Sequence, residues 1–167
     1  MSIKSRQERR EALAEWAEIR KSRRFQKAER IKHHKETNVA THSEETAMYG
    51  RRICGWLKKH NVDVNEEDVV QACLLHDIGM TDEDVSGSSS WKKAYKHPER
   101  GEEIARKEYH ANEVQCDAIK RHMWPICIIP PKSLEGWVVI AADKACSIHE
   151  VAGMTEDILG IGHKEED

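Results

Sequence analysis

The chain has 167 residues, with 27 Lys/Arg, 30 Asp/Glu and ten His for a net charge of −3, enough to bury one substantial core and too few for several domains. No apolar run approaches the roughly 20 residues that span a bilayer, and the N-terminus has no apolar signal-peptide core, so a cytoplasmic protein without membrane contact is expected. Five cysteines, none in a Cys-x-x-Cys pair, do not make a disulfide framework and agree with a reducing compartment. Of these, Cys73 and Cys146 read as small buried hydrophobes.

Charge divides the chain. Residues 1–38 hold twelve Lys/Arg against six Asp/Glu, a net of +6, which leaves −9 on the rest. The run Arg20-Lys21-Ser22-Arg23-Arg24 is basic enough to meet nucleic acid or anionic lipid, but a solvated helix face is the favoured reading, and nucleic acid is not expected as a partner. Sparse apolar positions (Leu13, Trp16, Ile19, Phe25, Ile31) predict a basic helical extension over 1–38 that packs loosely on the domain or on a second copy in a homodimer.

From Asn38 onward the helix signals are sharper. Asn38 caps a helix running to about His60, with Ala47, Ile53, Cys54 and Leu57 on its apolar side. Asn65 caps a strongly apolar helix through Val69, Val70, Cys73 and Leu74 that ends on His76 and Asp77, with Gly79 as a left-handed stop. Residues 80–96, with a Gly87-Ser88-Ser89-Ser90 tract, read as a long connection, either a lid or a surface loop. His97 then stands at a helix N-terminus, with Pro98 in the first helical position. A helix over about 112–123 is stopped by Pro125, and Pro130-Pro131 precede a last long helix over about 133–151, in which Trp137, Ile140, Ala141 and Ile148 read as core. Cys127-Ile128-Ile129 is too short for a strand, and residues 153–167 form a polar tail.

Six potential metal ligands lie along these helices: His42, the adjacent pair His76 and Asp77, His97, His122 and Asp143. Imidazole and carboxylate suit iron, manganese, zinc or nickel. Neighbouring helix positions point about 100° apart, so His76 and Asp77 serve one site only if it wraps the helix end. A His and an Asp that merely cap a helix would look similar, but an aspartate directly after so apolar a run calls for a partner. Asp143, inside the apolar Ile140–Lys144 stretch, likewise calls for a cation, either a metal or Lys144.

In the contexts Leu74-Leu75-His76-Asp77-Ile78-Gly79, His97-Pro98-Glu99-Arg100-Gly101 and Ile140-Ala141-Ala142-Asp143-Lys144, the chain resembles the HD superfamily of metal-dependent phosphohydrolases from about 39 to 151. The resemblance implies an all-α HD-domain helical bundle over 39–152. It also implies two divalent metal ions: His42, His76, Asp77 and Asp143 at the first, His97 and His122 at the second, Asp77 bridging. Two such metals clamp a phosphate and lower the pKa of a bridging water. Iron or manganese is favoured by four histidines against two carboxylates, with zinc, cobalt and nickel as alternatives. Asp77 is thus the catalytic carboxylate, with Lys144, Arg121 and also Arg100 as candidates for neutralising substrate phosphates.

The pattern departs from cyclic-dinucleotide phosphodiesterases of the HD-GYP type, which carry a lysine at Met80, a second histidine at Arg121 and a Gly-Tyr-Pro signature where this chain has Met123-Trp124-Pro125. It looks more like a small stand-alone bacterial HD subfamily. A small phosphate ester, foremost a nucleotide, is the expected substrate. A di-iron oxygenase on the same ligand set and a non-catalytic nucleotide- or RNA-binding module are the competing readings.

Overall fold

Asparagines begin three of the helices that carry the site. The computed structural model describes residues 6–33, 37–86 and 89–159. Its helices are α1 (Arg6–Ala12), α2 (Ala17–Lys21), α3 (Arg23–Ala28), α4 (Val39–Lys59), α5 (Glu66–Leu75), α6 (Glu83–Ser86), α7 (Ser90–Tyr109), α8 (Glu113–Arg121) and α9 (Leu134–Leu159), with single 3₁₀ turns at Ala14–Trp16 and Ile78–Thr81. The fold is all-α, with no strand among the described residues beyond an isolated Lys32–Asn38 bridge. The Asn38 side chain accepts from the Thr41 amide at 2.9 Å and Asn65 from those of Glu67 and Asp68. Asn112 forms a reciprocal box with Gln115. Each cap satisfies amides that a helix start leaves bare, worth about 1 kcal/mol.

Helix α5 is the central rod. Val69, Val70, Cys73, Leu74 and Leu75 are all 0% exposed, as expected of a helix apolar nearly all round. It packs on α4, α8 and α9, and its one buried carboxylate, Asp68, accepts from Asn112 and Gln115 at 2.7 and 2.8 Å. The central rod therefore holds the start of α8.

Several sequence-based expectations are corrected. Gly79 does not end α5 in the left-handed region; its φ lies outside that range, and it sits in the 3₁₀ turn. It is glycine because a Cβ would overlap the His97 carbonyl oxygen and come within 2.6 Å of the Gly101 nitrogen. The turn therefore lies backbone to backbone on α7. Much of 80–96 is helical, not a loop: α7 starts at Ser90, so His97 lies mid-helix and Pro98 is an interior proline. The Lys and Ala residues ahead of Pro98 favour helix, and packing on the 3₁₀ turn offsets the ladder bond that proline removes. Residues 87–88 of the Gly/Ser tract lie outside the described residues.

On α9 the buried face is Val138, Val139, Ile140, Ala142 and Cys146, whereas Trp137 is 40% and Ile148 69% exposed and Ala141 also faces out. Helical rotation places those three beside the core stripe; Trp137 packs edge-on against Trp124 instead. The helix continues to Leu159, and residues 160–167 of the expected tail lie outside the described residues. The N-terminal helices pack firmly, not loosely: Leu13, Phe25 and Ala28 join the main core. Arg24 pairs with Glu108, Ser22 Oγ lies 2.7 Å from the Tyr109 hydroxyl, and Arg20 Nε donates to Glu44 at 2.8 Å.

Candidate metal centre

Three imidazoles are aimed inward by their own helices. His76, at the end of α5, donates from Nδ1 to the Cys73 carbonyl at 2.7 Å; His97 does the same to Lys93, and His122, capping α8, to Ile119, each at 2.7 Å. A carbonyl only accepts, so each Nδ1 carries the hydrogen and Nε2 is the nitrogen left to take a metal. Those three Nε2 atoms converge on Asp77, at 3.1 Å (His97) and 3.5 Å (His122) from Oδ1 and 3.5 Å (His76) from Oδ2.

The backbone bend after α5 lets adjacent residues share this centre. His76 keeps helical angles, but Asp77 has φ −99° and ψ 5°, which turns its side chain around the helix end. His42, from the second turn of α4, approaches from the other side, its Nε2 3.1 Å from Asp143 Oδ1 on α9. Asp143 Oδ1 is also 3.8 Å from His76 Nε2. All six predicted ligands are therefore buried in one cluster.

These atoms fit a metal. His76 Nε2 is buried without a hydrogen-bond partner, a costly state for a polar atom unless a cation takes its lone pair. The Nε2 atoms of His97 and His122 face each other at 3.0 Å, a repulsive pair when both rings are neutral and a natural pair of ligands around one ion. The groups His42–His76–Asp143 and His76–Asp77–His122 each have donor atoms mutually within 4.8 Å. His76 belongs to both groups, and Asp77 to the second.

Electrostatics agrees with that donor set. Burial pushes the His76 imidazole down to about 4, keeping it neutral. Burial opposes ionisation of Asp77, but His76, His122, His33 and His97 hold its carboxyl well below the usual range. His42 is pushed up to about 12: burial works against this, and hydrogen bonds to Asp143, Cys146 and Glu150 overcome it. The site is built to stabilise positive charge beside its carboxylates.

A cleft of about 410 Å³ opens onto the cluster, with Asp77, His97, His122 and Asp143 in its lining. Lys144 lines it, with Nζ 2.6 Å from Asp143 Oδ2. Arg121 does not line it: its guanidinium is held by Asp117 and the Pro130 carbonyl. Arg100 is likewise engaged elsewhere, by Asp82 and Glu103. Lys32 and Lys93 line the cleft and were not singled out from the sequence.

Two further residues reach the cluster unannounced by the sequence reading. His33 Nε2 lies 3.1 Å from Asp77 Oδ2, and Glu150 Oε1 lies 3.0 Å from His42 Nδ1. Glu150 falls seven positions after Asp143, hence on the same helical face, a signal available from spacing alone. His33 sits in a polar basic stretch with no periodicity to expose it.

The family model for the HD domain matches residues 39–147. The chain belongs to the HD-domain family. Members of this family are typically metal-dependent hydrolases. Among curated proteins it is similar to Ribonuclease Y of Borreliella burgdorferi, 36% identical over 106 residues, which is 64% of this chain and 18% of that protein. The Ribonuclease Y proteins of Borreliella afzelii and Borrelia garinii subsp. bavariensis match at 35% identity over the same shares. This HD-domain chain thus spans less than a fifth of the length of those relatives. No solved structure matches it significantly. No helix among the described residues is long and apolar enough to cross a membrane.

Proposed function

We propose that this HD-domain protein is a metal-dependent phosphohydrolase that cleaves a small phosphate ester, with nucleotides as the leading class. The observation that carries the reading is the convergence of three carbonyl-oriented imidazoles on one buried carboxylate, Asp77, at the floor of an open cleft. His42, His76, Asp77 and Asp143 would hold one divalent ion, and Asp77, His97 and His122 a second, with iron or manganese preferred. Ions bound there supply a water of lowered pKa and neutralise phosphate charge.

The chain's own side chains support the substrate class. Lys144 stands at the cleft wall with its side chain half exposed. Lys32 and Lys93 line the same cleft and have no carboxylate partner among the described residues. Three ammonium groups around a metal centre favour an anionic ligand. Beside them Ile31, Met80, Val85 and Met123 give an apolar wall against which a base or other organic group can pack. The volume falls within the range of small-molecule sites, roughly 300–1,000 Å³.

The test is metal quantification on the purified chain, followed by a panel of phosphate monoesters, mononucleotides, dinucleotide polyphosphates and short RNA with manganese or iron added. Release of phosphate or nucleotide from the small esters, abolished in Asp77→Ala, is expected. The relatives' name, Ribonuclease Y, brings the RNA arm into that panel; cleavage of RNA alone would move the substrate class to nucleic acid. Oxygen uptake without ester turnover would replace the hydrolase reading by an oxygenase, and absence of bound metal would end both.

A further inference from the structure

Two side chains close on the metal centre from opposite ends of the sequence. His33 precedes α4, and Glu150 lies on α9; both fall outside the residues 39–147 that the HD-domain model matches. Their side chains are nevertheless only 12% and 5% exposed, and they meet beside His42, with His33 Nδ1 3.8 Å from Glu150 Oε2. The His33 ring is stacked on the His42 ring, centroids 3.9 Å apart and planes 16° from parallel.

Hydrogen-bond chemistry assigns each contact a direction. An ionised carboxylate only accepts, so His33 Nε2 donates to Asp77 Oδ2 at 3.1 Å, and His42 Nδ1 donates to Glu150 Oε1 at 3.0 Å. The second bond keeps a hydrogen on Nδ1 and so reserves Nε2, turned to Asp143, as the nitrogen for a metal. His42 gets from Glu150 what the other three imidazoles get from a carbonyl of their own helix. The position of His33 is set by the backbone: its amide donates to the Thr37 carbonyl at 2.9 Å, and the Val39 amide donates to the Ile31 carbonyl at 2.9 Å. The Lys32–Asn38 bridge joins the same strap to the residue that caps α4, the helix of His42.

We propose that His33 and Glu150 are positioning residues of the metal centre: Glu150 holds the His42 ring with Nε2 inward, and His33 pins Asp77 Oδ2 while stacking on one face of that ring. Metal affinity then depends on chain segments on both sides of the matched domain. This rests on the metal-binding reading, not on the identity of the ester.

The test uses the full chain, stripped of metal and titrated with manganese, with binding followed by calorimetry and by the electron paramagnetic resonance of free and bound ion. Glu150→Leu and His33→Ala remove the braces and are expected to weaken manganese binding by about 10- to 100-fold, the usual cost of losing an outer-shell partner. Glu150→Gln keeps an acceptor and His33→Gln keeps an N–H donor; each should recover part of the loss, which a purely packing role would not produce. Melting of the metal-free variants reports folding independently, and if an apolar variant fails to fold, the two glutamine variants decide. Affinities within twofold of the parent in the folded variants would overturn the proposal. So would a parent chain that binds no manganese. A parent that binds manganese but cleaves no ester would sink the phosphohydrolase reading and leave the same titration to judge the braces.

Discussion

His76, His97 and His122 are held one way and His42 another. In the first group each ring donates to a carbonyl three or four residues back in its own helix; His42 donates to Glu150, 108 residues away. A local brace comes with the helix and persists wherever the helix forms. A remote brace persists only while two distant segments stay packed. The centre therefore has a self-supporting half around α5, α7 and α8 and a half that depends on the ends of the chain.

The change that should break both halves together is Asp77→Ala, since Asp77 meets His97 and His122 through Oδ1 and His76 and His33 through Oδ2. Bound metal should fall below one ion per chain by elemental analysis, and ester turnover should drop by well over the roughly 100-fold that a lost outer-shell partner costs. Retention of two ions would mean that Asp77 does not join the halves.

Gly79→Ala attacks only the self-supporting half, by driving a methyl group into the His97 carbonyl. Overpacking of this kind costs about 1–3 kcal/mol, so Tm should fall by roughly 2–12 °C. The metal served by His97 and His122 should be lost first. Equal loss at both positions would argue that the halves are not mechanically separate.

Smaller effects should appear at the cleft. Lys93→Ala and Lys144→Ala leave the imidazole braces intact, so KM for a phosphate ester should rise by roughly tenfold, the scale of one hydrogen bond to a charged group. Manganese affinity should hardly move for Lys93→Ala. A fall in kcat alone would place the lysine in the chemistry and not in binding.

The smallest effect lies outside the centre, at Asp82, whose carboxyl is held below its usual value by the Arg100 guanidinium. A folded pKa below the unfolded one means that the unfolded chain binds more protons. The pair's stabilisation is therefore present above the ordinary carboxylate pKa and lost as pH falls through the lowered folded value. Arg100→Gln should flatten this part of the acid limb of Tm against pH while leaving metal content unchanged. An altered metal content would show that this surface pair reaches the site.

What could be read from the sequence follows the same division. Asn38 and Asn65 gave good helix starts because a cap acts within three residues. Of the six candidate ligands, His76, Asp77, His97 and Asp143 were legible through their immediate neighbours. The helix over Ser90–Lys96 was missed because Pro98 mimics a helix start, and packing against the 3₁₀ turn carries the helix past it. His33 was missed for a different reason: its role arises from a strap folding back on α4, which no local pattern records. Arg121 was chosen for nearness in sequence to His122, yet adjacent helix positions diverge, and Asp117 one turn earlier captures its guanidinium.

The contact between Gly79 and α7 has one more consequence. Main-chain atoms of Gly79 meet main-chain atoms of His97 and Gly101 with no side chain between them. The spacing from the His76-Asp77 pair to His97 is accordingly gauged by peptide units, whose dimensions do not vary with sequence. Substitutions over the outer faces of α5 and α7 can drift without resetting it, whereas a single added carbon at position 79 forces the two backbones apart. Variation in this protein should therefore be broad around the centre and nearly forbidden at one residue that ligates nothing.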